Sequence, residues 1–349
     1  MPALPVYAAG MKMLTIPAAA ALAFAASSPA ALRVVSSAPA PDTDIPSAGA
    51  TQMVAFTTTE TVRGFGLDAR WVPVSASGGG SAPWSTDLAV TVTAPGGEMM
   101  DWPMVGGEIS IASYPLSDAA GTLAGSNTSG TYTFQFSGTP SPYTAGLRDL
   151  TLHALAETPD VVEIINGSTL EGPQWDRPFS IVGISGQGPV NYETLEFEVT
   201  EAGLYTFESV RADSTDNFTF LYEGEFEPTL PLMNMLDYGL GNGFAPNESP
   251  QGTSLIESLL FPGCTYTLVN SQWAFFRPGG PYTLTITGPA ALAVATDCPA
   301  DFTDDGAVNG SDLAVLLAAW GTPGADLTGD GTTNGSDLAV LLAAWGVCE

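Results

Sequence analysis

NYETLEFEVT (191–200) followed by GLYTFESV (203–210) places apolar residues at every second position: Leu195, Phe197 and Val199, then Tyr205 and Phe207. Side chains leave a β-strand alternately from its two faces, so each run reads as a half-buried strand. The pattern recurs on both sides. DLAVTVTAP (87–95), GEISIAS (107–113), GTYTFQFSG (130–138) and LRDLTLHAL (147–155) precede it, and NFTFLYEG (217–224), CTYTLVN (264–270) and PYTLTITGP (281–289) follow. Gly, Pro and Asn punctuate the runs as turns. The expected fold is mainly β, with two tandem β-sandwich or jelly-roll domains over residues 51–158 and 161–290, divided near ETPD (157–160).

Composition agrees. Forty-five per cent of residues are apolar, and 39 Gly and 28 Pro argue for turn-rich β-structure, not disorder. A chain of 349 residues accommodates two or three domains. Eight basic residues against 37 acidic ones give a formal charge of −29, and Lys12 is the sole lysine. Such a surface repels nucleic acid and anionic membranes. At the N-terminus, Met11-Lys12, the apolar stretch Leu14–Ala26 and Ser28-Pro29-Ala30 read as a signal peptide over residues 1–30, with Met11 as a candidate start. The apolar stretch is too short to span a bilayer, and no later segment is long enough either. The expected location is secreted or cell-surface. Residues 31–50, rich in Ala, Pro and Ser, read as a linker.

The C-terminus is built differently. ADFTDDGAVNGSDLAVLLAAWG (300–321) returns as ADLTGDGTTNGSDLAVLLAAWG (325–346), with TPG (322–324) between the copies. Each copy sets oxygen-bearing side chains at positions 1, 3, 5, 9 and 12 of a twelve-residue loop with Gly at position 6, the spacing of a calcium loop. The candidate ligands are Asp301, Thr303, Asp305, the Ala307 carbonyl, Asn309 and Asp312 in the first copy, and Asp326, Thr328, Asp330, the Thr332 carbonyl, Asn334 and Asp337 in the second. Two Ca2+ ions are therefore expected, one per loop. Gly306 and Gly331 supply the sharp turn, and threonine at position 3 is a weaker ligand than a carboxylate, which points to moderate affinity. After each loop, Leu313, Leu316, Leu317 and Trp320, and then Leu338, Leu341, Leu342 and Trp345, fall at helical spacing, and Gly321 and Gly346 mark the stops. No helix signal precedes either loop.

This layout of loop then helix, twice, resembles a type I dockerin over residues 297–349. The resemblance implies a cohesin-like protein partner met around loop positions 10 and 11, here Gly310, Ser311, Gly335 and Ser336. Threonine at position 3 and helices free of Lys and Arg depart from that family, so calcium binding carries over better than cohesin binding. Cys298 and Cys348 bracket the module, and a disulfide between them would close a loop of about 50 residues, contributing about 4 kcal/mol in the chain-entropy model. Cys264 is then left over, read as a buried strand thiol. GLYTFESV, NFTFLYEGEFEPTLPLMNML, CTYTLVNSQW and GPYTLTITGP resemble the bacterial pre-peptidase C-terminal domain, an accessory β-domain. WSTDLAVTVTAPGG (84–97) and RDLTLHAL resemble more loosely the jelly-roll P-domain of secreted bacterial proteases.

No catalytic constellation emerges. His153 is the only histidine and reads as a half-exposed sheet residue on LRDLTLHAL. GISGQG (183–188) has the wrong spacing for a nucleophile elbow, and the chain has no HExxH and no phosphate loop. Glu223, Glu225 and Glu227 read as solvated charge, and six N-x-S/T triplets, two inside the calcium loops, reflect composition. WAFF (273–276) either packs in a core, the reading the sequence favours, or lies exposed and stacks on sugars. Two functions follow from these residues: an exported non-enzymatic protein docked through its calcium module, or a carbohydrate-binding or carbohydrate-degrading component of an extracellular polysaccharide-degrading complex.

Overall fold

The computed structural model describes residues 30–74, 84–103, 105, 112–139, 143–213, 215–241, 251–294, 298–303 and 307–347. The signal peptide, Asp305, Gly306 and Cys348 lie outside the described residues.

The strands in chain order are β1 (Ala31–Pro39), β2 (Thr43–Pro46), β3 (Ala50–Phe56), β4 (Gly64–Pro73), β5 (Ala89–Thr93), β6 (Met99–Trp102), β7 (Tyr114–Ala120), β8 (Gly130–Ser137) and β9 (Thr144–Thr158). There follow β10 (Val161–Ser168), β11 (Gln174–Trp175), β12 (Pro178–Ser180), β13 (Gly183–Ile184), β14 (Val190–Val199), β15 (Gly203–Val210) and β16 (Asn217–Glu223). Then come β17 (Met235–Gly241), β18 (Thr253–Leu260), β19 (Thr265–Gln272), β20 (Pro281–Gly288) and β21 (Leu292–Val294). The C-terminal part holds β22 (Ala307–Val308), α1 (Gly310–Ala318), α2 (Gly335–Ala343) and β23 (Gly346–Val347). Mainly-β architecture is thus what the alternating pattern forms.

The first core lies between the four-stranded sheet β3-β8-β5-β6 and strands β2, β9, β4 and β7. Its centre is aromatic. Phe65 meets Tyr132 at 5.3 Å and Phe134 at 5.2 Å between ring centroids, both edge-on. Edge-to-face packing suits the quadrupoles of the rings and adds to their area burial.

In the second half, β10, β20, β15 and β18 face the sheet β14-β19-β16-β17 across a core built on Phe197, Tyr205, Phe207, Leu221, Ile256, Tyr266, Leu268 and Ile286. A further cluster lies on the other side of β16: Trp175, Val190, Tyr192, Phe218, Phe220, Tyr222, Met235 and Val269. β16 is therefore buried on both faces.

Residues 31–50 are not a linker. β1 pairs with β9 from Ala31↔Thr158 to Pro39↔Thr151 and touches β15 at Arg33↔Gly203, so one sheet of nine strands runs through both halves. Small Ala and Ser side chains are disfavoured in isolated strands, but here the open edges of β9 and β15 supply the ladder partners, and tertiary pairing overrides composition. The halves also pack face to face. Gly66 on β4 lies directly under the Leu259 side chain of β18, where a Cβ would come within 2.3 Å of Leu259 Cδ1.

Candidate functional site

Over their described residues the two C-terminal copies match. Asn309 and Asn334 are N-caps with nearly equal backbone angles, and each side-chain oxygen accepts from the amide two residues on, Ser311 and Ser336, both at 2.8 Å. Asp312 and Asp337 complete the capping boxes. Each closes its loop as well: Thr303 donates its amide (3.0 Å) and hydroxyl (2.9 Å) to Asp312 Oδ1, and Thr328 donates likewise to Asp337 Oδ1 at 3.0 and 2.9 Å. The Asn309 and Asn334 amides donate to the other oxygens at 2.8 and 2.7 Å. Burial works against the Asp312 carboxylate, but the Asn309 amide and the Thr303 donors outweigh it and hold it below the usual range. The Asn334 amide, with Thr328, does the same for Asp337 against burial.

In the second loop, Asp326 accepts at Oδ1 from the amides of Gly329 (2.9 Å) and Asp330 (3.2 Å), and at Oδ2 from that of Gly331 (2.5 Å). Gly331 has φ +91°, the left-handed turn that glycine makes without strain. Asn334 Nδ2 donates to Asp330 Oδ2 at 3.0 Å and to the Thr332 carbonyl at 2.9 Å. Three carboxylates, a hydroxyl, an amide and a carbonyl form an all-oxygen set of the kind calcium takes. Among the described residues, though, no three His, Cys, Asp or Glu side chains converge as around a metal, because Asp326 and Asp337 are turned to protein donors. In the first loop Asp301, Thr303, Asn309 and Asp312 are described and Asp305 is not.

Gly310, Ser311, Gly335 and Ser336 are exposed at the helix starts. Beside them lies a feature the spacing did not separate from core. Leu316 and Leu341 are fully buried, whereas Leu317 and Leu342 are each 52 % exposed, and Trp320 and Trp345 are 47 % and 49 % exposed. Leu317 with Trp320, and Leu342 with Trp345, form two matching apolar stripes. β22 pairs with β23 at Ala307↔Val347 and Val308↔Gly346, so the end of the second copy lies on the first loop. Cys264 carries a free thiol, and Cys348 lies outside the described residues. Cys264 is half-buried just before β19, not buried within a strand.

His153 is not half-exposed: it is 3 % exposed. Its Nδ1 lies 2.8 Å from Ser37 Oγ and its Nε2 3.0 Å from Asp68 Oδ2, and the ring rests on Phe261 at 5.0 Å. These are cross-strand neighbours, since Ser37 and Gly66 stand opposite His153 on β1 and β4. The row ties three strands under the second half of the chain, which is why the histidine is covered.

Glu223 and Glu225 are exposed, as read, whereas Glu227 is half-buried. Among the triplets, Asn127 and Asn217 are buried, 7 % and 1 % exposed, which agrees with a compositional origin. WAFF departs from core packing: Phe275 is 64 % and Phe276 57 % exposed, and only Trp273 packs against the cluster around Trp175. Gln272 Nε2 and the Arg277 amide both bond the Ala274 carbonyl, in a turn that buries Ala274 and leaves the two phenyl rings outside.

No family model and no curated protein matches the chain. Among solved structures it is similar to the N-terminal CBM22-1-CBM22-2 tandem domain of Paenibacillus barcinonensis Xyn10C, at 11 % identity over 75 % of this chain and 99 % of that one, with a TM-score of 0.20. It is likewise similar to the STIV MCP, at 8 % identity over 73 % of this chain and 96 % of that one, with a TM-score of 0.23. Likeness at this level carries no functional argument. No described helix is long and apolar enough to cross a membrane.

Proposed function

We propose that the chain is an exported, non-enzymatic multidomain protein whose residues 297–349 form a calcium-dependent, dockerin-like docking module carrying two β-sandwiches. The observation behind this is a duplicated unit whose described parts match. Loop, N-cap, capping-box aspartate and helix recur with matching hydrogen bonds, and each copy leaves a leucine–tryptophan stripe exposed. A module that only capped the chain would have reason to bury those stripes, and exposed apolar surface repeated in register is what a protein partner uses. Calcium bound by Asp301, Thr303, Asp305, Asn309 and Asp312, and by Asp326, Thr328, Asp330, Asn334 and Asp337, would order the loops ahead of the helices. A Cys298–Cys348 disulfide would clamp the two ends, a pairing supported by the β22–β23 ladder. Titration of the full chain with CaCl2 by calorimetry is expected to show two equivalents of binding and a chelator-sensitive melt. Absence of heat at millimolar calcium overturns the reading.

A second reading, a carbohydrate-binding component of an extracellular assembly, is favoured by the exposure of Phe275 and Phe276.

A further inference from the structure

The loop that follows β19 is held rigidly for one that exposes two phenyl rings. Gln272, only 6 % exposed, donates its amide to the Ala274 carbonyl at 2.9 Å and also to the Arg277 carbonyl. The Arg277 amide donates back to the Ala274 carbonyl at 2.9 Å. Two contacts then tie the loop to the neighbouring segment. The Phe275 amide donates to the Gln187 carbonyl at 3.0 Å, and Arg177 Nε donates to the Trp273 carbonyl at 2.7 Å. Arg177 is 1 % exposed and lies 4.2 Å above the Phe218 ring, and burial lowers its pKa to about 10 despite the nearby Asp216. Its Nη1 also donates to the Pro178 carbonyl at 2.8 Å, joining the β12–β13 hairpin to the same loop. Burying a guanidinium is costly, and here its donors go to the backbone of these two exposed segments.

On this support stands a ledge. Phe275 and Phe276 meet edge-to-face at 5.3 Å and 88°, and Phe276 meets Trp273 at 5.4 Å. Arg277 lies over Trp273 at 5.7 Å and over Phe276 at 6.0 Å, with no ion pair to a carboxylate among the described residues. Two residues further on, Gly279 packs on the Thr169 carbonyl and Leu170, where a Cβ would lie at 2.3 and 3.0 Å. Ser168 and Leu170 open a shallow cleft of about 510 Å³ whose wall includes Glu171, Tyr192 and Glu193.

We infer that this ledge, with the cleft at its side, is a binding site for a neutral polysaccharide. Sugar C–H faces suit exposed aromatic rings, and the free donors of Arg277 suit ring hydroxyls. Two phenyls and a guanidinium fall far below the roughly 800 Å² per partner that a stable protein interface needs. The two carboxylates in the cleft and the −29 charge of the chain disfavour an anionic glycan. Preorganisation by Gln272 and Arg177 means the rings lose little freedom on binding.

The inference rests on the carbohydrate-binding reading above and goes further by fixing the site and the class of glycan. Affinity gel electrophoresis of the full chain in gels containing xylan, glucomannan or hydroxyethylcellulose tests both. Retardation in at least one gel is expected, with the Phe275→Ala/Phe276→Ala double variant losing about tenfold or more in affinity, and Arg277→Gln weakening it further. Both variants change exposed side chains, so the fold survives. If wild type is retarded and the double variant is retarded equally, the ledge is overturned while the carbohydrate reading stands. If wild type runs as in a blank gel throughout, the reading and the ledge fall together.

Discussion

Arg33 on β1 stands opposite Gly203 on β15, and that register pair joins the two halves of the molecule in a single sheet. The Val34 amide donates to the Ala202 carbonyl at 2.8 Å, and the Arg33 guanidinium reaches Glu60 on one side and Glu201 on the other. A Cβ on Gly203 would lie 2.5 Å from the Leu32 carbonyl and 3.0 Å from Arg33 Cα. The close approach of backbones is thus a requirement for glycine. Gly203→Val is expected to destabilise the chain by about 1–3 kcal/mol, the usual cost of overpacking. Calorimetric melting reads this as a lowered Tm, and an unchanged Tm would show that the seam carries no stability.

Asp237 on β17 makes stability depend on pH. Burial pushes its carboxyl up to about 7, Asp118 and Glu257 add to the shift, and the Ser258 hydroxyl at 2.9 Å and the Tyr238 amide oppose it. An unfolded aspartate titrates near pH ~4. Between about pH 4 and 7 the folded chain therefore keeps a proton that the unfolded chain has released. Its contribution to stability falls as pH rises across that window, by up to about 1.4 kcal/mol per unit, and is level above it. Asp237→Asn removes this slope. Melts of both proteins at pH 5 and pH 8 are expected to show the variant gaining on wild type at the higher pH. Parallel curves would place the Asp237 titration elsewhere.

In the second candidate calcium loop Asp330 can be changed while the capping oxygens of Asn334 and Asp337 stay in place. Asp330 is exposed and accepts from the Thr332 amide at 2.9 Å and from Asn334 Nδ2 at 3.0 Å. Asp330→Ala is expected to leave the calcium-free melt nearly unchanged and to lower calcium stoichiometry from two to one. Asn334→Ala is expected to weaken α2 by about 1 kcal/mol even without calcium, since a cap is lost. Equal calcium binding by Asp330→Ala and wild type would remove this aspartate from the ligand set.

Thiol chemistry gives a separate check. Non-reducing peptide mapping of the full chain is expected to recover Cys298 joined to Cys348, with Cys264 alkylated as a free thiol. A peptide joining Cys264 to either of the others would refute that pairing.

The matching stripes and helix starts of the two copies make a demand on partner binding. Gly310, Ser311, Gly335 and Ser336 are exposed, and a Cβ on either glycine would meet nothing within 4 Å, so neither face is occluded. If either face suffices for docking, Ser311→Asp or Ser336→Asp alone leaves binding to a cohesin-type partner nearly intact and the double variant abolishes it. Surface plasmon resonance with immobilised partner decides, and loss of binding in one single variant would defeat the two-face arrangement.

What was legible in the sequence was whatever local chemistry dictates. Period-two alternation predicts strands because a strand puts successive side chains on opposite faces, and Phe197, Val199, Tyr205 and Phe207 do point into the core. The C-terminal copies were legible for the same reason, since Asn309 and Asp312, or Asn334 and Asp337, form caps with partners at most nine residues away. Tertiary structure decided what depends on distant partners. Alternation in NFTFLYE says that one face is polar, not that it is dry. Asn217 and Thr219 are buried because β15 and β18 cover them, and their polar groups are met by Ser209 and Ser254. Residues 31–39 carry a composition that suits a linker, and only the open edge of β9 makes them a strand. His153 is buried by Phe261, more than a hundred positions away along the chain, and Phe275 and Phe276 are exposed because Gln272 and Arg177 fix the turn beneath them. Sequence determines which side chains share a face, because that follows from backbone geometry. Which faces meet water follows from long-range packing, and for this chain that packing sets the seam, the buried polar interior and the exposed aromatic ledge.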